Sequence, residues 1–243
     1  MSAPLRIGLV GDGKMARAIA QLAAERGIEV AAMLGAAENE RGSAIERGGL
    51  GAADVAIEFT EPGSAPANIR ACLSVGLPVV VGTTGWLDQL PALERETASA
   101  GGAMLWAANF SIGVNLFLRL AREAGAVLAA GPGFDVHLVE THHSAKKDAP
   151  SGTALAIGRE VAAGLGREVP ITSVRTGHVP GTHEVIFDAP FEQITLAHVA
   201  RDRRVFADGA LRAAEWLAAR PGGARRQGVF TMQDVLSGEG QAP

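Results

Sequence analysis

Residues 5–16 read LRIGLVGDGKMA: a short apolar run, a glycine-rich turn and the start of a helical pattern. Gly11 permits a tight turn, Gly13 leaves space for a pyrophosphate beside the backbone, and Ala16 allows close packing of helix on strand. The helix N-terminus adds free N–H groups and a positive dipole end. A generic glycine-rich turn is the alternative. The segment predicts a dinucleotide-binding turn with contact residues Gly11, Asp12, Gly13, Lys14 and Met15.

The first hundred residues alternate between strand-like and helix-like periods. Strands are predicted over residues 5–10, 28–34, 54–59, 77–81 and 103–106, and helices over residues 15–26 and 87–100. Short apolar strands separated by helices are typical of a parallel sheet covered on both faces, with right-handed crossovers. We therefore expect an α/β fold whose N-terminal domain is of the Rossmann type.

The pattern changes after Asn109. Helices are predicted over residues 114–129 and 151–165, and strands over residues 134–141, 184–187 and 192–198. Strands without intervening helices favour a mixed or antiparallel sheet, and so a second, smaller α+β domain. Residues 205–219 return to helical spacing and are expected to pack back on the first domain. The first predicted domain comprises residues 1–109 together with residues 203–243, and the second comprises residues 110–202.

Composition excludes several classes of protein. The 243 residues are 47% apolar and 20% charged, and the net charge of −4 argues against an electrostatic nucleic-acid partner. No apolar run approaches the ~18 residues of a membrane span, and the N-terminus lacks the layout of a signal peptide. The single cysteine, Cys72, fits a reducing compartment, so a cytoplasmic location is expected. Residues 237–243 are expected to be a frayed tail.

Polar loops follow two further predicted strands, where ligands bind in open α/β sheets. The candidate cofactor contacts in these loops are Gly82, Thr83 and Thr84, and Ala107, Ala108, Asn109 and Phe110. Simple turns are the alternative. The second strand ends at Leu34-Gly35 without the acidic residue that often holds a ribose, and Glu38 lies just beyond it. The choice between NAD and NADP therefore stays open. Lys14 can reach a 2′-phosphate, or it is an ordinary surface lysine.

Residues 140–154, ETHHSAKKDAPSGTA, combine proton donors with an anion site. Histidine has the pKa best suited to proton transfer near neutral pH, and lysine supplies a compact cation or an acid. Ser151 is a plausible N-cap, so that Gly152 and Thr153 would present backbone N–H groups to an anion. The segment predicts a receptor for a carboxylate, with the acid–base candidates His142 and Lys146 beside it.

A metal site is not expected at His142-His143, because adjacent histidines point apart and no zinc-type spacing accompanies them. The other histidines are expected to be structural and hydrogen-bonded: His137, His178, His183 and His198. Cys72 is expected to be a small buried apolar residue.

The signature over residues 140–154 resembles that of the dihydrodipicolinate reductase family. The resemblance extends in family order along nearly the whole chain. Further matches are Phe59-Thr60, and residues 82–85, 109–115, 175–177, 181–185, 206–214 and 232–236. Three departures stand out: a phosphate loop one residue shorter, Gly35 in place of the ribose-binding acid, and Ser144-Ala145 where basic residues are common.

The resemblance implies hydride transfer from NADH or NADPH to a cyclic, unsaturated imine dicarboxylate, in the diaminopimelate route to lysine. It implies that His142 is the acid/base and Lys146 the proton donor, and that the second domain binds substrate and forms a homotetramer. It also implies substrate contacts at His143, Gly152 and Thr153, at the helix that begins near Ser151. Two alternatives remain: a related amino- or imino-acid dehydrogenase, and a non-catalytic nucleotide sensor, which would be expected to have lost His142 or Lys146.

Overall fold

The computed structural model describes residues 4–131 and 133–237. The expectations for residues 1–3 and for the tail beyond Ser237 lie outside the described residues. The described chain forms two compact units. Unit 1 contains the residues up to Phe110 and those from Phe206 onward, and unit 2 contains Ser111–Val205.

Unit 1 is built on a six-stranded parallel sheet in the order β10-β5-β4-β3-β1-β2. Its strands are β1 (Arg6–Val10), β2 (Glu29–Leu34), β3 (Val55–Glu58), β4 (Val79–Val81), β5 (Ala103–Trp106) and β10 (Gly228–Phe230). Its helices are α1 (Lys14–Glu25), α2 (Ser43–Glu46), α3 (Ala65–Ser74), α4 (Leu90–Ser99), most of α7 (Arg204–Ala218) and α8 (Met232–Leu236).

The central strands of this sheet are buried along their whole length. All residues of β3 and β4 are buried, as expected when helices cover both faces of a parallel sheet. The helices contribute apolar faces to this core, and α7 buries eight residues that include Leu211 and Trp216. The predicted Rossmann-type fold is therefore confirmed.

Unit 2 is a four-stranded mixed sheet covered by two helices. Its elements are α5 (Ile112–Ala129), β6 (Asp135–His142), α6 (Gly152–Leu165), β7 (Ile171–Arg175), β8 (Thr182–Ala189) and β9 (Glu192–Val199). The strand order is β7-β6-β8-β9; β6 and β7 are parallel and the other pairs antiparallel. Alternate residues of β6 are buried, which places Glu140 and His142 on the same face as the core residues Val136 and Leu138.

Some elements were not predicted in full. β10 has three residues, too few to show a period, and it extends the sheet only because it pairs with β5. The short helices α2 and α8 were likewise not predicted. The sequence indicated strand-like pieces within residues 170–200, where β7 lies, and a helix around Cys72, where α3 lies, but it did not give the bounds of either element. Among the described residues, no helix has the length and apolar character needed to cross a membrane.

Candidate active site

In unit 1, the loops after four parallel strands meet at one edge of the sheet. Gly11, directly after β1, has φ +111°, and a Cβ there would lie 2.1 Å from the Phe59 carbonyl oxygen after β3. Gly82, after β4, lies against the Phe59 ring, 2.1 Å from a built Cβ. The Phe59 and Phe110 rings are 5.8 Å apart. Only glycine fits at positions 11 and 82, because a side chain would collide with Phe59.

The start of α1 fits a pyrophosphate. Gly13 is the N-cap, no side chain caps the helix, and no acidic residue lies in its first turn. A Cβ built on Gly13 meets no atom within 4 Å, so the space above these N–H groups is open. Uncapped N–H groups beside open space are what the phosphates of a dinucleotide require. Of the other predicted contacts here, Asp12 and Lys14 are exposed and Met15 is partly buried.

The two other predicted cofactor loops are anchored by side chains that contact the same edge. Thr83 is buried, and its Oγ1 accepts a hydrogen bond from the Thr60 N–H at 2.7 Å. Phe110 is buried, and Gly209 of α7 packs so closely that a Cβ would lie 1.7 Å from the Phe110 carbonyl oxygen. Thr84 and Ala108 are exposed, while Gly82, Ala107 and Asn109 are partly buried.

A buried carboxyl group lies beneath these loops. Glu58, the last residue of β3, is fully buried and contacts the Thr60 hydroxyl, and Asn68 Nδ2 donates to it at 3.4 Å. Burial raises the pKa of Glu58, and these hydrogen bonds only partly oppose it. Sequence reasoning assigned Glu58 no role, although a glutamate inside an apolar strand is a signal for one.

In unit 2, the histidine predicted as acid/base forms a dyad with a buried carboxylate. His142 is 7% exposed, and its Nδ1 contacts Oε2 of the fully buried Glu140, two residues earlier on the same face of β6. Burial lowers the pKa of His142, and the Lys146 and Arg175 charges lower it further, while Glu140 opposes the shift. The Glu140 contact directs Nδ1 inward, so that Nε2 is the nitrogen left for proton transfer.

Arg175, at the end of β7, holds this dyad and the signature loop together. One of its terminal nitrogens, Nη2, donates to Glu140 Oε1 at 2.6 Å and to the Asp148 carbonyl oxygen at 2.6 Å. Burial alone would raise the pKa of Glu140, but the hydrogen bonds from Arg175 and His142 lower it to about 2. Glu140 is therefore ionised throughout the physiological range.

The predicted proton donor, Lys146, lies in the loop that Arg175 anchors. Its Nζ donates to both Asp148 carboxylate oxygens, at 2.8 and 2.9 Å, and its side chain is 23% exposed. The hydrogen bond from Lys146 lowers the pKa of Asp148. His143 is partly exposed. Within residues 143–146, the basic side chains are His143 and Lys146, and both are partly exposed beside the polar residues of the loop.

The N-terminus of α6 begins as predicted. Ser151 is buried, and its Oγ accepts a hydrogen bond from the Ala154 N–H at 3.1 Å, while its own N–H donates to Glu140 Oε1 at 3.3 Å. The first turn contains no acidic residue, and a Cβ on the exposed Gly152 would meet no atom within 4 Å. The start of α6 is therefore suited to an anion at the exposed Gly152.

Two further histidines, His183 on β8 and His198 on β9, lie beside His142 across the neighbouring strands of the sheet. The His142 and His183 rings are 5.3 Å apart, and those of His183 and His198 are 6.3 Å apart. Burial lowers the pKa of His183 to about 4, with the His142 and His198 charges adding to the effect. Within residues 4–131 and 133–237, Nδ1 of His183 and of His198 is buried without a hydrogen-bond partner, so the expectation of hydrogen-bonded histidines was wrong for these two atoms.

Glu140, His142 and His183 bring potential metal-ligand atoms within 4.8 Å of one another. Both Glu140 oxygens are already engaged, one by Arg175 and the other by His142. The expectation that the chain has no metal site stays a prediction.

The predicted site residues thus form two groups. Unit 1 brings residues 11–15, 82–84 and 107–110 to one sheet edge, and unit 2 brings His142, His143, Lys146 and the start of α6 around Glu140. Sequence reasoning gave no role to Glu140, Arg175 or Asp148. A role for Glu140 was indicated by its position two residues before His142 on a predicted strand. Arg175 lies 35 residues from Glu140, and no local spacing in the sequence connects the two.

Comparisons with known proteins match both units to the same protein family. The family described as "Dihydrodipicolinate reductase, N-terminus" matches residues 5–110, and "Dihydrodipicolinate reductase, C-terminus" matches residues 113–236. A 4-hydroxy-tetrahydrodipicolinate reductase from Zymomonas mobilis subsp. mobilis is 38% identical over 254 residues, covering 96% of this chain and 97% of its own. The 4-hydroxy-tetrahydrodipicolinate reductase from Christiangramia forsetii is 33% identical, and the match covers 96% of this chain and 98% of that protein.

Solved structures share the fold. A dipicolinate-bound dihydrodipicolinate reductase from Paenisporosarcina sp. TG-14 has a TM-score of 0.74 at 22% identity, covering 94% of this chain and 98% of its own. A diaminopimelate dehydrogenase from C. glutamicum has a TM-score of 0.55 at 13% identity, covering 95% and 93%. Likeness at such identities shows the fold alone. Because two family descriptions together span nearly the whole chain, this protein belongs to the dihydrodipicolinate reductase family of NAD(P)H-dependent oxidoreductases.

Proposed function

We propose that this chain reduces 4-hydroxy-tetrahydrodipicolinate, through its dehydrated cyclic imine, to tetrahydrodipicolinate. The observation that carries the proposal is the assembly of Glu140, His142, Arg175 and the Lys146 loop beside the open N-terminus of α6. This arrangement combines proton donors with an anion site, as reduction of an anionic imine requires. A related dehydrogenase shares the fold, but it has no reason to carry the complete signature over residues 140–154.

Unit 2 holds the substrate in this proposal. The α6 N–H groups at Gly152 and Thr153 receive one carboxylate, with Ser151 fixing the first turn of the helix. His143 and Lys146 supply positive charge for the dianion, and Lys146 exchanges its Asp148 partner for the substrate. The dipicolinate bound by the Paenisporosarcina enzyme is a dicarboxylate of the same class.

The chemistry needs one hydride and one proton. A bound nicotinamide dinucleotide would supply the hydride, and residues 11–15 with the loops at 82–84 and 107–110 would hold it. His142 and Lys146 deliver the proton to the atom left electron-rich. The ionised Glu140 holds His142 by Nδ1, which keeps Nε2 directed to the reacting group.

We also propose how the chain is organised. The dinucleotide-binding domain comprises residues 1–109 with 203–243, and residues 110–202 form the substrate-binding and tetramerisation domain; the break between the compact units at Phe110/Ser111 and Val205/Phe206 supports this division. The enzyme functions as a homotetramer in the cytoplasm.

A coupled assay tests the reaction. A synthase generates the unstable substrate from pyruvate and aspartate semialdehyde, and the loss of reduced-nicotinamide absorbance is followed with NADH and NADPH separately. We expect oxidation that depends on the synthase. In the same assay, His142→Gln and Lys146→Ala should lower turnover sharply while cofactor binding stays close to that of the wild type. The control, His178→Gln, changes an exposed histidine and should leave turnover unchanged. Synthase-independent oxidation, or unchanged turnover in both site variants, would contradict the proposal.

A further inference from the structure

Two carboxylates lie at the end of β2, although the strand itself ends in glycine. Glu38 Oε2 accepts a hydrogen bond from the Gly35 N–H at 3.2 Å. Asp12, in the loop after β1, approaches the same residue: a Cβ built on Gly35 would lie 3.1 Å from Asp12 Oδ2. The two loops are joined because Gly11 N–H donates to the Leu34 carbonyl oxygen at 2.8 Å.

Gly35 and Asp12 are complementary in shape. A Cβ at position 35 would also lie 3.2 Å from Asp12 Cγ, so any side chain there would press on the Asp12 carboxylate. In dinucleotide-binding folds, an acid at the end of the second strand receives the adenosine ribose hydroxyls. Here that strand offers no side chain, and the neighbouring loops bring carboxylates to the same place.

The charges around this position favour a ribose that carries no phosphate. Asp12 and Glu38 are both exposed, and a 2′-phosphate placed between them would be repelled by two negative charges, whereas a 2′-hydroxyl can donate to either carboxylate. The cations on the first turn of α1, where the pyrophosphate is expected, are Lys14 and Arg17, and Arg17 Nε donates to the Asp12 carbonyl oxygen at 3.0 Å. Arg41, three residues after Glu38, is also exposed, but the carboxylates of Asp12 and Glu38 are the charges that lie directly beside Gly35.

We propose that Asp12 and Glu38 together form the ribose-recognition site and make NADH the preferred cofactor over NADPH. This inference rests on the proposed function, because it assumes that unit 1 binds a nicotinamide dinucleotide. It assigns to two residues from different loops the role that a single strand-end acid has in other dinucleotide sites.

The test measures dissociation constants for NADH and NADPH by isothermal titration calorimetry, without substrate. The wild type should bind NADH about tenfold or more tightly than NADPH, since both carboxylates are solvent-exposed and their repulsion is partly screened. In the double variant Asp12→Asn/Glu38→Gln, the ratio should shift by about tenfold toward NADPH, and each single variant should shift it less. The control, Glu25→Gln, removes one charge at the other end of α1 and should leave the ratio unchanged.

Two results would overturn the inference: a wild type that binds NADPH as tightly as NADH, or a double variant with the wild-type ratio. If either occurs while the coupled assay still shows synthase-dependent oxidation, the proposed function stands and only the ribose assignment fails. If folded wild-type protein binds neither dinucleotide, the cofactor assignment of the proposed function fails as well.

Discussion

At the scale of single residues, Glu140 connects the fold of unit 2 with its chemistry. The residue is fully buried, yet it stays ionised because Arg175 and His142 both contact it. Breaking a buried pair on one side leaves an uncompensated charge, so each member depends on the others. Glu140 therefore acts through His142, as a positioning residue, while His142 takes part with Lys146 in delivering the proton.

The pH profile of turnover tests this role in Glu140→Gln. The Glu140 carboxylate raises the pKa of His142 and so opposes the lowering caused by burial. Without the carboxylate this pKa falls further, and protonated His142 is lost at lower pH. We expect turnover to decline from a lower pH than in the wild type. The control is Glu184→Gln, on the neighbouring strand β8 opposite Val139. An unchanged profile in folded Glu140→Gln would show that Glu140 is only structural.

The lowered pKa of His183 should make the folded protein less stable at acid pH. Its pKa falls from 6.5 to about 4 in the folded protein, so the unfolded chain takes up a proton first as the pH drops. The associated stability is present above the ordinary pKa and is lost as the pH falls from about 6.5 toward 4. Between about pH 7 and pH 5, His183 should account for a loss of about 2 kcal/mol in the free energy of unfolding.

Urea denaturation at the two pH values measures this loss. In His183→Gln the difference between them should shrink by that amount, whereas His178→Gln, at an exposed position, should keep the wild-type difference. An equal acid sensitivity in His183→Gln and wild type would refute the assignment.

At the scale of elements, α5 and α6 approach so closely that glycine is required between them. A Cβ on Gly164 would lie 2.2 Å from the Arg122 carbonyl oxygen, whereas a Cβ on Gly158, on the same helix, would lie 3.1 Å from the flexible end of Ile171. Backbone cannot move aside as a side-chain methyl group can.

Gly164→Ala should therefore lower the free energy of unfolding by about 2 kcal/mol or more, and Gly158→Ala should change it by less than about 1 kcal/mol. Chemical denaturation of both variants provides the comparison. Equal losses in the two variants would mean that the helices adjust freely at this contact.

The elements also show what the sequence could predict. Strands such as β3 and β5 and long helices such as α5 were found because apolar runs and 3.6-residue periods are local properties. β10 and the Arg175–Glu140 contact depend on partners far along the chain, and no local pattern encodes them. The sequence showed Glu38 just beyond the strand end, but it did not show that Asp12 lies beside Gly35, because Asp12 reaches that position only through the pairing of β1 and β2.

At the scale of the whole molecule, unit 2 leaves one sheet face available for assembly. The helices α5 and α6 pack against the buried face, and the opposite face presents Val174, Thr141, Thr182 and Val199 in one row across all four strands. Val199 is 58% exposed and Val174 is 37% exposed. Exposed β-branched residues on a regular sheet are typical of a surface that pairs with another copy.

For the proposed homotetramer, in which this face is one of the contacts, light scattering should report four times the mass of one chain for the wild type. Ala197→Asp places a second negative charge directly opposite Glu184 on this face and should lower the measured mass. Val127→Asp, at a position 71% exposed on α5, is the matched control and should remain tetrameric. A monomeric wild type, or a tetrameric Ala197→Asp protein, would contradict assembly through this face.

The most direct test of the central claim uses deuterium to trace the hydride that NADH transfers to the substrate. The coupled reaction is run with NADH carrying deuterium at both C4 positions, and the tetrahydrodipicolinate formed is analysed by mass spectrometry. Transfer of one hydride to the substrate ring predicts a product one mass unit heavier than that formed with unlabelled NADH, and no such product with His142→Gln on the same timescale. Product without the label, or no product from folded enzyme that binds NADH, would contradict the claim that this chain is a nicotinamide-dependent reductase of the cyclic imine.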